Sequence, residues 1–179
     1  MISVYSAKHK QLSQEEFNQL YHIIIKAYAD TEALMWGENY VRVSKSDFQN
    51  FIDEDKVLVA FLSEEVVGGL RYYAMNESTW SFGLFGADFS KSRMGIGRAL
   101  IAKVENLAAR AKAKKIRIEI LRPTNFEIEI KTILANWYIS LGYVLVGSDD
   151  FATVRPKESI KLLCPCNFDY YEKSLGTLN

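Results

Sequence analysis

Cysteine, proline and histidine are scarce in this chain of 179 residues, which holds two, three and two of them. The cysteines, Cys164 and Cys166, flank Pro165. They are too few for a disulfide framework or a four-ligand zinc site, so a reducing, cytoplasmic setting without a bound metal is expected. Neither sign of charge prevails, because lysine plus arginine and aspartate plus glutamate both number 22. That balance argues against a nucleic-acid partner held by a broad basic surface, while leaving room for a local anion site. No apolar run approaches the ~20 residues that cross a membrane, and residues 1–10 hold no signal-peptide core. Nor is the chain short of core: 49% of it is apolar, which excludes a disordered polymer. One α/β domain over residues 1–179 is the expectation, as a monomer or a homodimer, with no internal repeat and no linker.

The richest stretch runs from about residue 82 to 121 and reads strand, glycine turn, helix, strand. Leu100, Ile101, Val104, Leu107, Ala108 and Ala111 share one helical face, opposite Arg98, Lys103, Glu105, Arg110 and Lys112. The entry is Arg93-Met94-Gly95-Ile96-Gly97-Arg98. Its glycines let a ligand approach the backbone, and the first helical N–H groups lack internal partners at the positive end of the dipole. A phosphate or pyrophosphate suits such a turn, although a plain strand-to-helix turn has the same appearance. A dinucleotide fold is disfavoured, since Leu100 replaces the third glycine and no acid ends the next strand. A P-loop is excluded by the missing Gly-Lys-Ser/Thr.

The rest of the chain supplies the frame. A strand at residues 2–5 precedes a capping box, Ser13 to Glu16, and a helix that buries Phe17, Leu20, Ile24, Ala27 and Tyr28. His22 in that helix reads as a surface residue. Residues 30–43 look irregular and aromatic, with Trp36, Tyr40 and Arg42 packing over the core or walling a pocket. A second capping box, Ser44 to Asp47, opens a short helix with Phe48, Phe51 and Ile52 inward. An antiparallel meander is expected over residues 56–62, 66–75 and 79–87. After the strand at 116–121, Arg122-Pro123-Thr124-Asn125 breaks the run. A late helix then carries Ile130, Ile133, Leu134, Trp137, Tyr138 and Leu141 on its buried stripe, and Gly142 ends it. Residues 143–146, 160–167 and 170–173 read as extended, with Pro165 marking an edge or a bulge.

This order of elements resembles the GNAT superfamily of acyl-CoA-dependent N-acyltransferases. Val67-Gly68-Gly69 is similar to its Val-x-Gly signature, and Gly95-Ile96-Gly97-Arg98-Ala99-Leu100-Ile101 to its acyl-CoA motif, Arg/Gln-x-x-Gly-x-Gly/Ala. Trp137-Tyr138-Ile139-Ser140-Leu141-Gly142-Tyr143 is similar to its late Tyr-x-x-x-Gly-Phe/Tyr motif. The chain departs from the pattern at Ser92, where arginine or glutamine is usual, at Arg93, where glycine is common, and at Lys131, where asparagine is usual. The resemblance implies a mixed central sheet with an antiparallel meander and flanking helices. It implies acetyl-CoA as acyl donor and a small-molecule or peptide amine as acceptor. By the same resemblance, splayed strands leave Phe85 and Ala87 to pair with pantetheine, and residues 93–98 hold the pyrophosphate. Tyr138 then protonates the coenzyme A sulfur, a role that suits a phenol with pKa near ~10. Asp88, Glu119 and Glu77 are the nearby carboxylates, with none singled out as a base. The alternatives are a sensor of the same fold that binds acyl-CoA without turnover, and a phosphate-binding regulatory domain.

Overall fold

A seven-stranded sheet organises the computed structural model, which describes residues 1–176, in the order β1-β2-β3-β4-β5-β7-β6. The strands are β1 (Ile2–Ser6), β2 (Val57–Leu62), β3 (Glu65–Ala74), β4 (Thr79–Ala87), β5 (Lys115–Pro123), β6 (Val144–Asp150) and β7 (Cys166–Ser174). Every neighbouring pair is antiparallel except β4 and β5. Their parallel crossover is made by α4 (Ile96–Arg110), as a parallel pair requires. The expected meander is β2, β3 and β4, with β1 added at its edge.

Alternation along the strands sends side chains to both faces of the sheet, where three apolar clusters form, the third around Met35, Trp36, Leu121, Phe151 and Phe168. Ile116, Ile118 and Ile120 of β5 meet Leu100, Ile101 and Val104 of α4 on one face. On the other, Val57 and Val59 of β2 meet Ala7 of the one-turn α1 (Ala7–Lys10), Leu20 and Ile24 of α2 (Gln14–Trp36) and Phe48 of α3 (Lys45–Asp53). The Ser13 capping box is complete: its hydroxyl accepts from Glu16 N–H at 3.2 Å, and Glu16 accepts from Ser13 N–H at 2.7 Å. The one at Ser44 is half made. Ser44 accepts from Asp47 N–H, but the shorter aspartate takes the Ser44 hydroxyl instead of reaching back to its backbone.

Three expectations about local structure are corrected. The irregular segment at residues 30–43 is helical as far as Trp36, because the buried stripe continues through Glu32, Met35 and Trp36. Glu32 disguised that stripe: it is an acid in the interior, paired with a lysine from a distant helix. Of residues 160–167, expected to be extended, only Cys166 and Asn167 lie in a strand, at the start of β7. Two short helices, α6 (Phe151–Val154) and α7 (Pro156–Ser159), and a turn occupy the space up to Cys166. Ile160 and Leu163, which made the segment read as a strand, are exposed. In α5 (Glu129–Ser140) the buried residues are Lys131 and Tyr138, whereas Ile130 and Ile133 face outward. Gly142 does end that helix, at φ 93°. Among the described residues no helix is long and apolar enough to cross a membrane.

Candidate active site

β4 and β5 part company early. They pair only at Thr79 with Lys115, Trp80 with Ile116 and Ser81 with Arg117. Beyond that point β4 bulges: Gly83 stands opposite Arg71 and Gly86 opposite Gly69, so Leu84 and Phe85 together face a single residue. Leu84 adopts φ 46°, the positive region in which a bulge turns its strand. The resulting split opens a cavity of about 1530 Å³. One end reaches the turn that starts α4, and the other runs beneath the end of α2 and the α6–α7 segment.

The turn leaves backbone donors without internal partners. Arg93 and Gly95 both take positive φ, 66° and 85°, while the Met94 N–H between them donates to the Lys91 carbonyl at 3.4 Å. Gly95 caps α4 without any side-chain hydrogen bond, and the first helical bond is Ala99 N–H to Gly95 C=O at 3.0 Å. The N–H groups of Ile96, Gly97 and Arg98 are therefore left for a guest at the dipole's positive end. Arg93, Met94 and Arg98 are exposed around it, while Ile96 is buried beneath. Gly97 is also closely packed. A Cβ there would stand 2.9 Å from both the Phe85 and the Trp137 ring, and those rings stack at 5.9 Å and 12°.

Next to the bulge lies a pair of tyrosines. α2 crosses β4 so closely that a Cβ on Gly86 would stand 2.8 Å from Ile24 Cα. One turn later Tyr28 projects into the split, where its hydroxyl accepts the N–H of Phe85 at 3.3 Å. The Phe85 N–H expected to be open to pantetheine is thus engaged by Tyr28, and Ala87 lines the cavity further along. Tyr138 faces the same space, 4% exposed, its ring packed on Phe82, Trp137 and Tyr143. Burial pushes its phenol up from the usual range, and Tyr28 nearby adds to the shift. Among the described residues its hydroxyl makes no hydrogen bond, so a proton donor points into the cavity with no partner. Tyr28 is raised as well, by burial first, with Arg42 pulling the other way.

The carboxylates separate by position. Asp88 caps a short 3-10 turn through Ser90 and pairs with Lys91, and the Ser90 hydroxyl holds its carboxyl below the usual range. Glu77 lies outside the cavity, exposed on the β3–β4 turn. Glu119 lines the cavity, half-buried, from the β5 side. His22 is exposed at the rim.

Of the aromatics weighed for a pocket, Trp36, Tyr40 and Tyr73 line the cavity, with Trp36 and Tyr40 stacked at 4.5 Å. Tyr72 instead packs on Trp80. The two thiols sit 3.8 Å apart, and burial first raises Cys166 to about 12, which makes it a poor nucleophile at neutral pH. Among the described residues no three histidine, cysteine or acidic side chains gather as metal ligands.

Sequence reasoning missed Tyr28 as a site residue, and it missed Arg71 and the Glu32–Lys131 pair altogether. A charged residue inside the otherwise apolar run of β3 was the available signal for Arg71. For the pair there was none, as 99 positions separate its members.

Solved structures share this architecture. An aminoglycoside 6'-N-acetyltransferase complexed with coenzyme A superposes with a TM-score of 0.68, at 15% identity over 100% of this chain and 99% of the other. The PaiA N-acetyltransferase of Thermoplasma acidophilum, also in complex with coenzyme A, gives 0.68 at 14% identity, covering 97% and 99%. The ribosomal-protein-S18-alanine N-acetyltransferase of Escherichia coli gives 0.65 at 14% identity, covering 100% and 97%. At such identities these likenesses speak for the fold. No curated protein matches the chain by sequence. The model of the acetyltransferase (GNAT) family matches residues 17–127, well over half of the chain. With the split sheet, the glycine turn and that match together, the chain belongs to the acetyltransferase (GNAT) family.

Proposed function

We propose that residues 1–179 act as one N-acetyltransferase domain that moves the acetyl group of acetyl-CoA directly to a primary amine of a small molecule or peptide. The observation that carries this reading is the convergence of three features on one cavity: a split between β4 and β5, an uncapped helix N-terminus at its mouth, and the unpartnered Tyr138 hydroxyl between them. The neighbours of the same fold that hold coenzyme A support it.

Acetyl-CoA, when bound, supplies an acetyl group already activated as a thioester. The N–H groups of Ile96, Gly97 and Arg98 would take its pyrophosphate, with Arg93 and Arg98 adding positive charge. The free edge of β4 around Phe85 and Ala87 would align the pantetheine arm, and Tyr28 would have to release or share the Phe85 N–H. Tyr138 would hold a proton for the departing sulfur. Its raised pKa does not defeat that role. The burial that disfavours a phenolate disfavours a thiolate in the same cavity, so the match between the two groups survives. Cys166, raised and buried, is no acyl carrier, which favours direct transfer.

The test is calorimetry with acetyl-CoA followed by thiol release with a panel of amines. Arg98 is exposed, so Arg98→Glu should fold normally and bind the coenzyme at least tenfold more weakly, about 1.4 kcal/mol. Unchanged affinity would remove the turn from the site. Coenzyme binding without thiol release, whatever the amine, would leave a sensor of the same fold.

A further inference from the structure

We propose that the amine acceptor also carries a carboxylate, anchored by Arg71 and Arg42 on the acceptor side of the β4 bulge. The proposal rests on the transfer reading above and names the class of substrate. Arg71 stands directly opposite Gly83, one residue before the bulge residue Leu84. Nothing lies within 4 Å of where a Cβ on Gly83 would be, so the floor beside Arg71 is open. Its guanidinium is fixed by aromatic faces, 3.8 Å from the Phe51 ring centre and 4.9 Å from that of Tyr73. Its Nε is buried without a hydrogen-bond partner, and among the described residues no carboxylate pairs with it. Glu54, the acid whose charge it feels, is taken by Lys56.

Arg42 holds the other flank. Its guanidinium lies 5.2 Å over the ring of Tyr28, and Tyr28 binds Phe85, one residue beyond Leu84. Glu32 is near enough to act on it but is committed to Lys131, and the Tyr40 hydroxyl beside it is a neutral partner that leaves the charge without a carboxylate. The two arginines thus bracket the bulge where the split opens.

The lysines of the same cavity wall behave differently. Lys26 pairs with Asp30, Lys91 with Asp88 and Glu65, and Lys131 with Glu32. Arg155 and Glu158 are both exposed to solvent at the rim. Apart from these, from Arg93 and Arg98 at the glycine turn and from the exposed Asp47, the charges of the cavity that form no ion pair among the described residues are the guanidinium groups of Arg71 and Arg42 on the α2–β3 side and the half-buried Glu119 on the β5 side.

A guanidinium removed from water is costly until an anion meets it, and a ring stack leaves its planar fork free to do so. A carboxylate fits that fork with two parallel hydrogen bonds. Glu119 remains for the ammonium end, and its carboxylate can take the proton that the nitrogen must lose before it attacks the thioester carbonyl, while Tyr138 gives one to the departing sulfur. An amino-acid-like acceptor matches this arrangement, whereas polyamines and aminoglycosides would set further positive charge against the arginines.

The experiment compares matched pairs in the thiol-release assay with acetyl-CoA: free amino acids, the same amino acids as carboxamides, and the amines left by removing the carboxyl group. The carboxylate member should have the higher kcat/KM by about ten- to a hundredfold, as charge-assisted hydrogen bonds imply. Arg71→Met keeps the stacking volume and removes the charge. It should raise KM for the carboxylate acceptor by a similar factor, hold kcat within about twofold and erase the discrimination. Arg42→Met provides the second arm should Arg71→Met fold poorly. Equal or better turnover of the amines without carboxylate overturns the proposal, as does discrimination that survives in both variants. So does coenzyme binding with no turnover of any carboxylate-bearing amine. Failure of the wild-type protein to bind acetyl-CoA by calorimetry would instead remove the transfer reading, and this proposal with it.

Discussion

Lys131 of α5 places its Nζ 2.6 Å from Oε1 of Glu32 in α2, with both side chains buried. The other carboxylate oxygen accepts Trp36 Nε1–H at 3.0 Å, so every charge-bearing atom of the acid has a partner. The pair ties together the two helices that wall the cavity. It also occupies the position where the family resemblance expects an asparagine.

Removing one member leaves the other charged and buried. Lys131→Met should therefore cost about 3–5 kcal/mol in a urea melt. Glu32→Gln combined with Lys131→Met removes both charges while keeping an acceptor for Trp36, and should restore most of that loss. A double variant as unstable as the single one would mean that the contact itself, rather than an orphaned charge, sets the cost.

Tyr138→Phe removes a proton donor and keeps the ring that packs on Phe82, Trp137 and Tyr143. The turnover number should fall by about 10²–10⁴-fold, with acetyl-CoA affinity unchanged by calorimetry. Wild-type turnover in a folded Phe variant would return Tyr138 to the core.

Alkaline stability follows from the same burial. Tyr138 and Tyr143 are 4% and 1% exposed, and desolvation raises both phenols, Tyr143 with help from Glu105. In the unfolded chain they ionise near pH ~10, so below that value both states are protonated and the stability is fully present. Above it the unfolded state sheds protons that the folded state keeps. Stability should then drop by about 1.4 kcal/mol per pH unit for each residue, until the folded phenols themselves titrate. Melting temperatures between pH 9 and 12 check this, and Tyr138→Phe should flatten the slope.

At Gly97 a methyl group has nowhere to go between Phe85 and Trp137. Gly97→Ala should cost about 1–3 kcal/mol through overpacking, and Trp137→Leu in the same chain should relieve part of it. A Gly97→Ala variant with unchanged stability but lost coenzyme affinity would show that the glycine is there for the ligand.

The fold was largely legible because its signals are local. Leu100, Ile101 and Val104 announce α4 by spacing alone, and Ser13 with Glu16 announces α2. The glycine turn lies within residues 17–127, which the family model matches, whereas the Trp137–Tyr143 run lies beyond them. What stayed hidden depends on partners far along the chain. Glu32 is a charge within a buried stripe, and its place there makes sense only once Lys131 is seen beside it. Tyr28 reads as one more core aromatic until α2 is laid across Gly86 and its hydroxyl arrives at Phe85. Ile160 and Leu163 misled in the opposite sense, as apolar residues that the structure leaves outside.

The short seam between β4 and β5 has a mechanical meaning. Three paired positions join them, against nine between β5 and β7. The sheet is in effect two rafts, β1 to β4 and β5 to β7, stitched at one end and held elsewhere by the helices beneath. A slender guest with amides of its own, laid along the gap, would serve as the missing strand. Docking such a guest would then finish the folding of the protein. Slowed hydrogen exchange would appear along both rims of the gap at once, far beyond the atoms the guest touches.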